Sequence, residues 1–233
     1  MKRTARVAAA ATVVLAPLTV MIADQLRMRA ENADEIGMVN EWGDEEAVAL
    51  LTNVGENLGT FQAAGWVALA AAALTAPATL VLWRLAVRRS SSWAWAGAIL
   101  GACSVAGQFV HLMGYFALTQ VFAQQEDLAV PGHILVEADR NALALALFVP
   151  FLLGTLLALP VLAVALRRAR VIPLWALGSV LVGGVAMMVL GSHPVVSTVW
   201  AVAMVVGLAP AAAAWVRGDR APDPSLPLVP AHA

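Results

Sequence analysis

The chain alternates long apolar segments with shorter polar stretches. Six apolar segments, none of which contains Asp, Glu, Lys or Arg, occupy residues 7–22, 61–83, 93–118, 142–166, 174–191 and 195–216. A helix needs about 20 mostly apolar residues to cross the hydrocarbon core of a bilayer. The pattern therefore predicts an all-α membrane protein, in which residues 1–218 form a bundle of six transmembrane helices.

The composition agrees with lipid as the solvent. Hydrophobic residues make up 61% of the chain and charged residues 12%, whereas soluble domains carry about 25% charged residues. We expect a lipid bilayer as the main contact, no nucleic-acid partner and no cofactor. Cys103 is the single cysteine, so neither an internal disulfide nor a thiol relay is expected.

Charge alternates between the polar stretches and predicts an orientation. Eleven of the 14 Lys and Arg residues lie in residues 2–6, 84–89, 167–170 and 217–220, and 13 of the 15 acidic residues lie in residues 23–60 and 119–141. Lys and Arg near span ends mark the cytoplasmic side. We therefore expect a multi-pass protein of the bacterial inner membrane with both termini in the cytoplasm.

The two ends of the chain allow further expectations. The first segment follows a basic start, Lys2–Arg6, as a cleaved signal peptide would, but it ends in Met21-Ile22-Ala23 without a small residue at the −3 position. Cleavage sites favour a small-x-small pattern, so an uncleaved first helix is expected. Residues 219–233 are rich in proline, which predicts a disordered cytoplasmic tail.

The long acidic stretch 23–60 is expected to be an outer loop with a helix of its own. Three consecutive acids, Asp44 to Glu46, suit a helix start, and apolar residues then recur at helical spacing. An amphipathic helix is predicted near residues 44–58, and Trp42 could anchor it in the headgroup layer. The acids could attract cations or a partner, or simply mark a translocated loop.

Three of the segments share one spacing of proline and arginine. In each, a proline precedes an arginine by seven residues, at Pro77 and Arg84, Pro160 and Arg167, and Pro210 and Arg217. Such internal repetition is known among membrane proteins. It predicts three related helical hairpins, with chance and shared interface preferences as the alternative.

The third segment carries the most notable polar face. At 100° per residue, polar side chains spaced 4-3-4 share one side of a helix. This polar seam consists of Ser104, Gln108, His111 and Tyr115. It could be an interhelical hydrogen-bond network or a ligand site. A metal site would need His111 to meet His133, His193 and Glu137, which have suitable ligand chemistry but no ligand spacing in sequence.

The overall layout resembles a loose group of small bacterial six-helix integral membrane proteins of unknown function. The resemblance rests on six spans in about 230 residues and on Arg167-Arg168-Ala169-Arg170-Val171-Ile172-Pro173 before Trp175 and Gly178. The group has no assigned activity to transfer. Its members often have shorter acidic loops than residues 23–60 of this chain.

Two classes of function stay open. The first is a non-enzymatic scaffold, regulator or accessory subunit, which acts through the outer loop or bundle surface on a membrane-protein partner or as a homo-oligomer. The second is a small-solute transporter or a membrane enzyme with an outward-facing site around His111. The absence of a carboxylate from the six apolar segments argues against coupled transport, which usually places an acid or base within the bilayer.

Overall fold

The structure, a computed structural model, describes residues 3–32, 43–191 and 193–218. Over these residues it has eight helices and no strand, which confirms the all-α prediction. The helices are α1 (Arg3–Glu31), α2 (Asp44–Glu56), α3 (Leu58–Ala86), α4 (Ser91–Phe122), α5 (Ala129–Arg140), α6 (Ala142–Arg168), α7 (Leu174–Leu190) and α8 (Pro194–Arg217).

Five of these helices are long and apolar enough to cross a membrane, namely α1, α3, α4, α6 and α8. The apolar helix α7 has 17 residues. At 1.5 Å per residue it is about 25 Å long, somewhat less than the roughly 30 Å of the hydrocarbon core. These dimensions indicate a membrane protein and leave α7 as the shortest of the six apolar helices.

Helix α1 continues nine residues beyond the apolar segment 7–22 and so includes the start of the stretch treated above as an outer loop. In this extension the Arg27 guanidinium contacts the Asp24 carboxylate at 2.8 Å and the Glu31 carboxylate at 2.6 Å. Pairs at these spacings stabilise a helix, so the helix need not end where hydrophobicity ends. Trp42 and the tail 219–233 lie outside the described residues.

The apolar helices pack side by side around an aliphatic core. Helix α1 packs against α3 and α8, α4 against α6, and α7 against α8. The core contains Leu82, Leu162, Leu166 and Leu208, all fully buried. The proline of each proline–arginine pair lies inside its helix, and the relation between hairpins stays a prediction.

The two ends of the bundle differ in what covers them. At one end, the start of α1 meets the end of α8, where the Arg6 guanidinium packs directly against Gly218. At the other end, α2 and α5 pack on each other. We call α2 and α5 the cap. Helix α2 begins at Asp44, within the stretch where the sequence predicts an amphipathic helix, and Leu50, Leu51 and Val54 on its apolar side are fully buried.

Candidate functional site

The polar seam runs along α4 and crosses a change in helix type. Residues Ser91–His111 are α-helical and Leu112–Ala117 form a π-helix. π-Helical turns inside α-helices are rare and often occur at functional sites. The seam residues Ser104 and Gln108 therefore lie in regular helix, and Tyr115 lies in the π-helical turn.

The N-terminal part of the seam, Ser104 and Gln108, forms a short chain of hydrogen bonds to α6. The Gln108 Nε2 atom donates to Ser104 Oγ at 3.3 Å, and Ser104 Oγ lies 3.1 Å from Thr155 Oγ1. Ser104 is 3% exposed. Gln108 Oε1 is buried and has no hydrogen-bond partner among the described residues. This part of the seam is thus an interhelical network with one acceptor left over.

His111, in the middle of the seam, is surrounded by aromatic rings. Its imidazole stacks on Tyr115, with ring centroids 4.9 Å apart and planes 7° apart, and on Phe151, with centroids 5.4 Å apart. Phe116 meets the imidazole edge-on at 5.7 Å. Aromatic pairs at such distances stabilise packing beyond their buried area. The position of His111 is therefore set by packing.

The C-terminal end of the seam, Tyr115, meets a buried group of charges. The Tyr115 hydroxyl donates a hydrogen bond to the Glu31 carboxylate, which also pairs with Arg27. Asn53 of α2 donates from Nδ2 to the backbone oxygen of Glu31 at 3.0 Å. Together with Asp24, which pairs with Arg27, these residues form what we call the latch.

The latch joins α1, α2 and α4 in a largely dry environment. The side chains of Arg27, Asp24 and Glu31 are 21%, 15% and 5% exposed. Buried charges are tolerated when every partner is supplied, and removing one partner leaves a costly unpaired charge. Because Asn53 belongs to α2, the latch also fastens the cap to the bundle.

The four residues of the predicted metal set are not brought together. His133 contacts Asp44 at 3.2 Å, and the His193 ring accepts a hydrogen bond from the Val195 amide at the start of α8. Glu137 pairs with Arg140 at 3.4 Å, while His111 lies among aromatic rings. Over residues 3–32, 43–191 and 193–218, no group of three or more His, Cys, Asp or Glu side chains could hold a metal ion.

Comparisons of the chain with protein-family models, with curated proteins and with solved structures give no match. The function must therefore be inferred from the residues and contacts of this chain.

Proposed function

We propose that this chain is a six-span protein of the bacterial inner membrane with both termini in the cytoplasm. The alternation of basic and acidic stretches along the sequence supports this topology. Arg6, near the start of α1, contacts Gly218, at the end of α8. This contact supports the topology too, because both ends of the chain lie on one side only after an even number of crossings. Helix α7 can serve as the short span, since bilayers adapt to modest mismatch.

Alkaline phosphatase fusions test this topology, because the enzyme is active only outside the cytoplasm. A fusion at Asp127, between α4 and α5, should be active, and a fusion at Arg170, between α6 and α7, should be inactive. Equal activity of the two fusions would contradict the proposed topology.

The function that we propose is that of a non-enzymatic scaffold, regulator or accessory subunit that binds transmembrane helices of another membrane protein. The observation that carries this proposal is the first part of α6. Every residue from 141 to 150 is exposed, with Leu143 at 70% and Leu147 at 51%. Farther along α6, Phe151 and Gly154 lie in close contact with α4, at Gly107 and at Leu100 and Ser104 respectively.

A helix that stands clear of its own bundle offers its whole circumference to other molecules. Residues 142–147 alternate Ala and Leu, so small and large side chains both reach the surface. Small residues permit close approach of helices, and van der Waals packing then drives association within lipid. The exposed part of α6 therefore suits a partner helix.

Native electrophoresis of membranes solubilised in a mild detergent tests this proposal. The wild-type chain should migrate in a complex well above its own 24.3 kDa. The substitution Leu147→Trp should disrupt the complex because the larger ring blocks close packing. Val199→Trp is the matched control, since Val199 is 48% exposed and lies five residues into α8, as Leu147 lies five residues into α6.

Two results would contradict the proposal. If the wild-type chain migrates alone, it binds no partner. If the complex contains only copies of this chain, the chain forms a homo-oligomer and binds no other membrane protein.

A transporter or membrane enzyme with its site around His111 is the second candidate. The latch favours this candidate. The charged residues of the latch lie on the same helix as the first apolar segment, and Glu31 accepts a hydrogen bond from Tyr115 of the seam. Ionisable groups at membrane depth commonly mark solute or proton pathways. The substitution His111→Phe separates packing from chemistry because it keeps a stacking ring and removes both ring nitrogens. Unchanged solute uptake and ligand response in this variant would remove the second candidate.

A further inference from the structure

A small cavity lies beside the N-terminal part of the polar seam, where α1, α3, α4, α6 and α8 meet. Its walls include Pro17, Leu82, Leu159 and Trp200, and most of its surface is apolar. Its volume is about 40 Å³. About 10–15 Å³ is enough to hold one water molecule, so there is room for water.

One edge of the cavity is polar. Ser104, Gln108 and Thr155 lie along it, and Thr75 and Thr79 of α3 contribute two more hydroxyl-bearing side chains. The hydrogen bonds that join Gln108, Ser104 and Thr155 leave Gln108 Oε1 without a partner among the described residues. A buried acceptor is expected to find a donor. Gln108 is itself one of the residues that line the cavity, so a donor held there is a suitable partner for Oε1.

The wall that carries these groups is fixed by close helix packing. A methyl group at Gly154 would lie 2.5 Å from both the Leu100 carbonyl oxygen and the Ser104 amide nitrogen. The backbones of α4 and α6 are therefore in direct contact beside the Ser104–Thr155 pair. The helices cannot move closer to fill the cavity.

We propose that this cavity is a site for an internal water molecule, which donates a hydrogen bond to Gln108 Oε1 and joins the Ser104–Thr155 chain. Buried waters typically make about three hydrogen bonds to polar groups that would otherwise lack partners. The neutral polar edge suits water better than an ion, because a bare charge would need a counter-charge among the lining residues. The site is independent of any partner at α6.

Hydroxyl-radical labelling by X-ray radiolysis, read by mass spectrometry, tests for this water. Radicals formed from a bound water oxidise the side chains beside it. In the full chain in lipid nanodiscs, Trp200 and Leu159 should be labelled. Leu162 is fully buried, is not among the cavity-lining residues and should stay unlabelled. Labelling of Trp200 and Leu159 no greater than that of Leu162 would show an empty cavity and overturn the proposal.

Two variants locate the water. Ala158→Leu fills the cavity and leaves Gln108 in place, and Gln108→Leu removes the acceptor. Both should reduce the labelling of Trp200 and Leu159 to the level of Leu162. The matched control is Gln62→Leu, the same change at an exposed position of α3, which should label as the wild-type chain does. Labelling that persists in either cavity variant would contradict a water held by Gln108.

Discussion

The close contact of Gly154 with α4 allows the stability cost of Gly154→Ala to be predicted. In Gly154→Ala, the new methyl group would lie 2.5 Å from two backbone atoms of α4, whereas ordinary contact begins at 3.4 Å. The atoms of a helix backbone cannot rotate away as a flexible side chain can. The helices α4 and α6 must therefore separate locally by about 1 Å, which forfeits a quarter to a half of the dispersion energy of the atoms involved.

The cost can be isolated with a matched glycine. Gly178 lies inside α7 with no atom within 4 Å of an added methyl group. Alanine at a helix-interior glycine gains roughly 0.5–1 kcal/mol from backbone entropy, and this gain is common to both positions. The difference in stability between Gly154→Ala and Gly178→Ala is then the overpacking cost, about 1–3 kcal/mol.

Unfolding by sodium dodecyl sulfate in mixed micelles, followed by circular dichroism, measures this difference. Gly154→Ala should unfold at a lower denaturant fraction than the wild-type chain, and Gly178→Ala at an equal or higher one. Equal stability of the two variants would show that α4 and α6 do not meet at Gly154.

Three further predictions concern polar side chains. Tyr115→Phe removes the donor to the buried Glu31 carboxylate and should cost about 1.5–3 kcal/mol. If the latch holds the cap, this variant should speed hydrogen exchange, relative to the wild-type chain, more for the α2 amides than for the α8 amides. Asn141→Ala removes the side chain that caps α6 through the Leu143 amide at 2.9 Å and should cost about 1 kcal/mol, seen as faster exchange in the first turn of α6. His133→Ala breaks a pair whose members are 61% and 59% exposed and should cost less than about 1 kcal/mol; a loss as large as that of Tyr115→Phe would contradict this ranking.

The six apolar helices could largely be predicted from the sequence because hydrophobicity alone marks them, whereas α5, within the polar stretch 119–141, was not predicted. The extension of α1 through Glu31 could not, since a search for apolar residues stops at Ile22. The spacing of Asp24, Arg27 and Glu31 was the available signal, because oppositely charged residues three and four apart stabilise a helix. Although no acid lies within the first apolar segment, Asp24 and Glu31 lie on the same helix.

The candidate site could be predicted only in part. The spacing of Ser104, Gln108 and His111 places them on one side of α4. Their partners come from distant parts of the chain, as with Thr155, which is 51 residues from Ser104, and Glu31, which is 84 residues from Tyr115. No local pattern specifies such pairs, since they depend on how the helices pack. The π-helical turn after His111 also lacks a sequence signal.

Site-specific photo-crosslinking in native membranes tests the central claim, that the exposed part of α6 contacts another membrane protein. A photoreactive amino acid at Leu147 should yield a discrete crosslinked product that contains a second protein, and the same probe at Val199 should crosslink only to lipid. Crosslinking to lipid alone at both positions would show that α6 faces the bilayer and would contradict the proposed function.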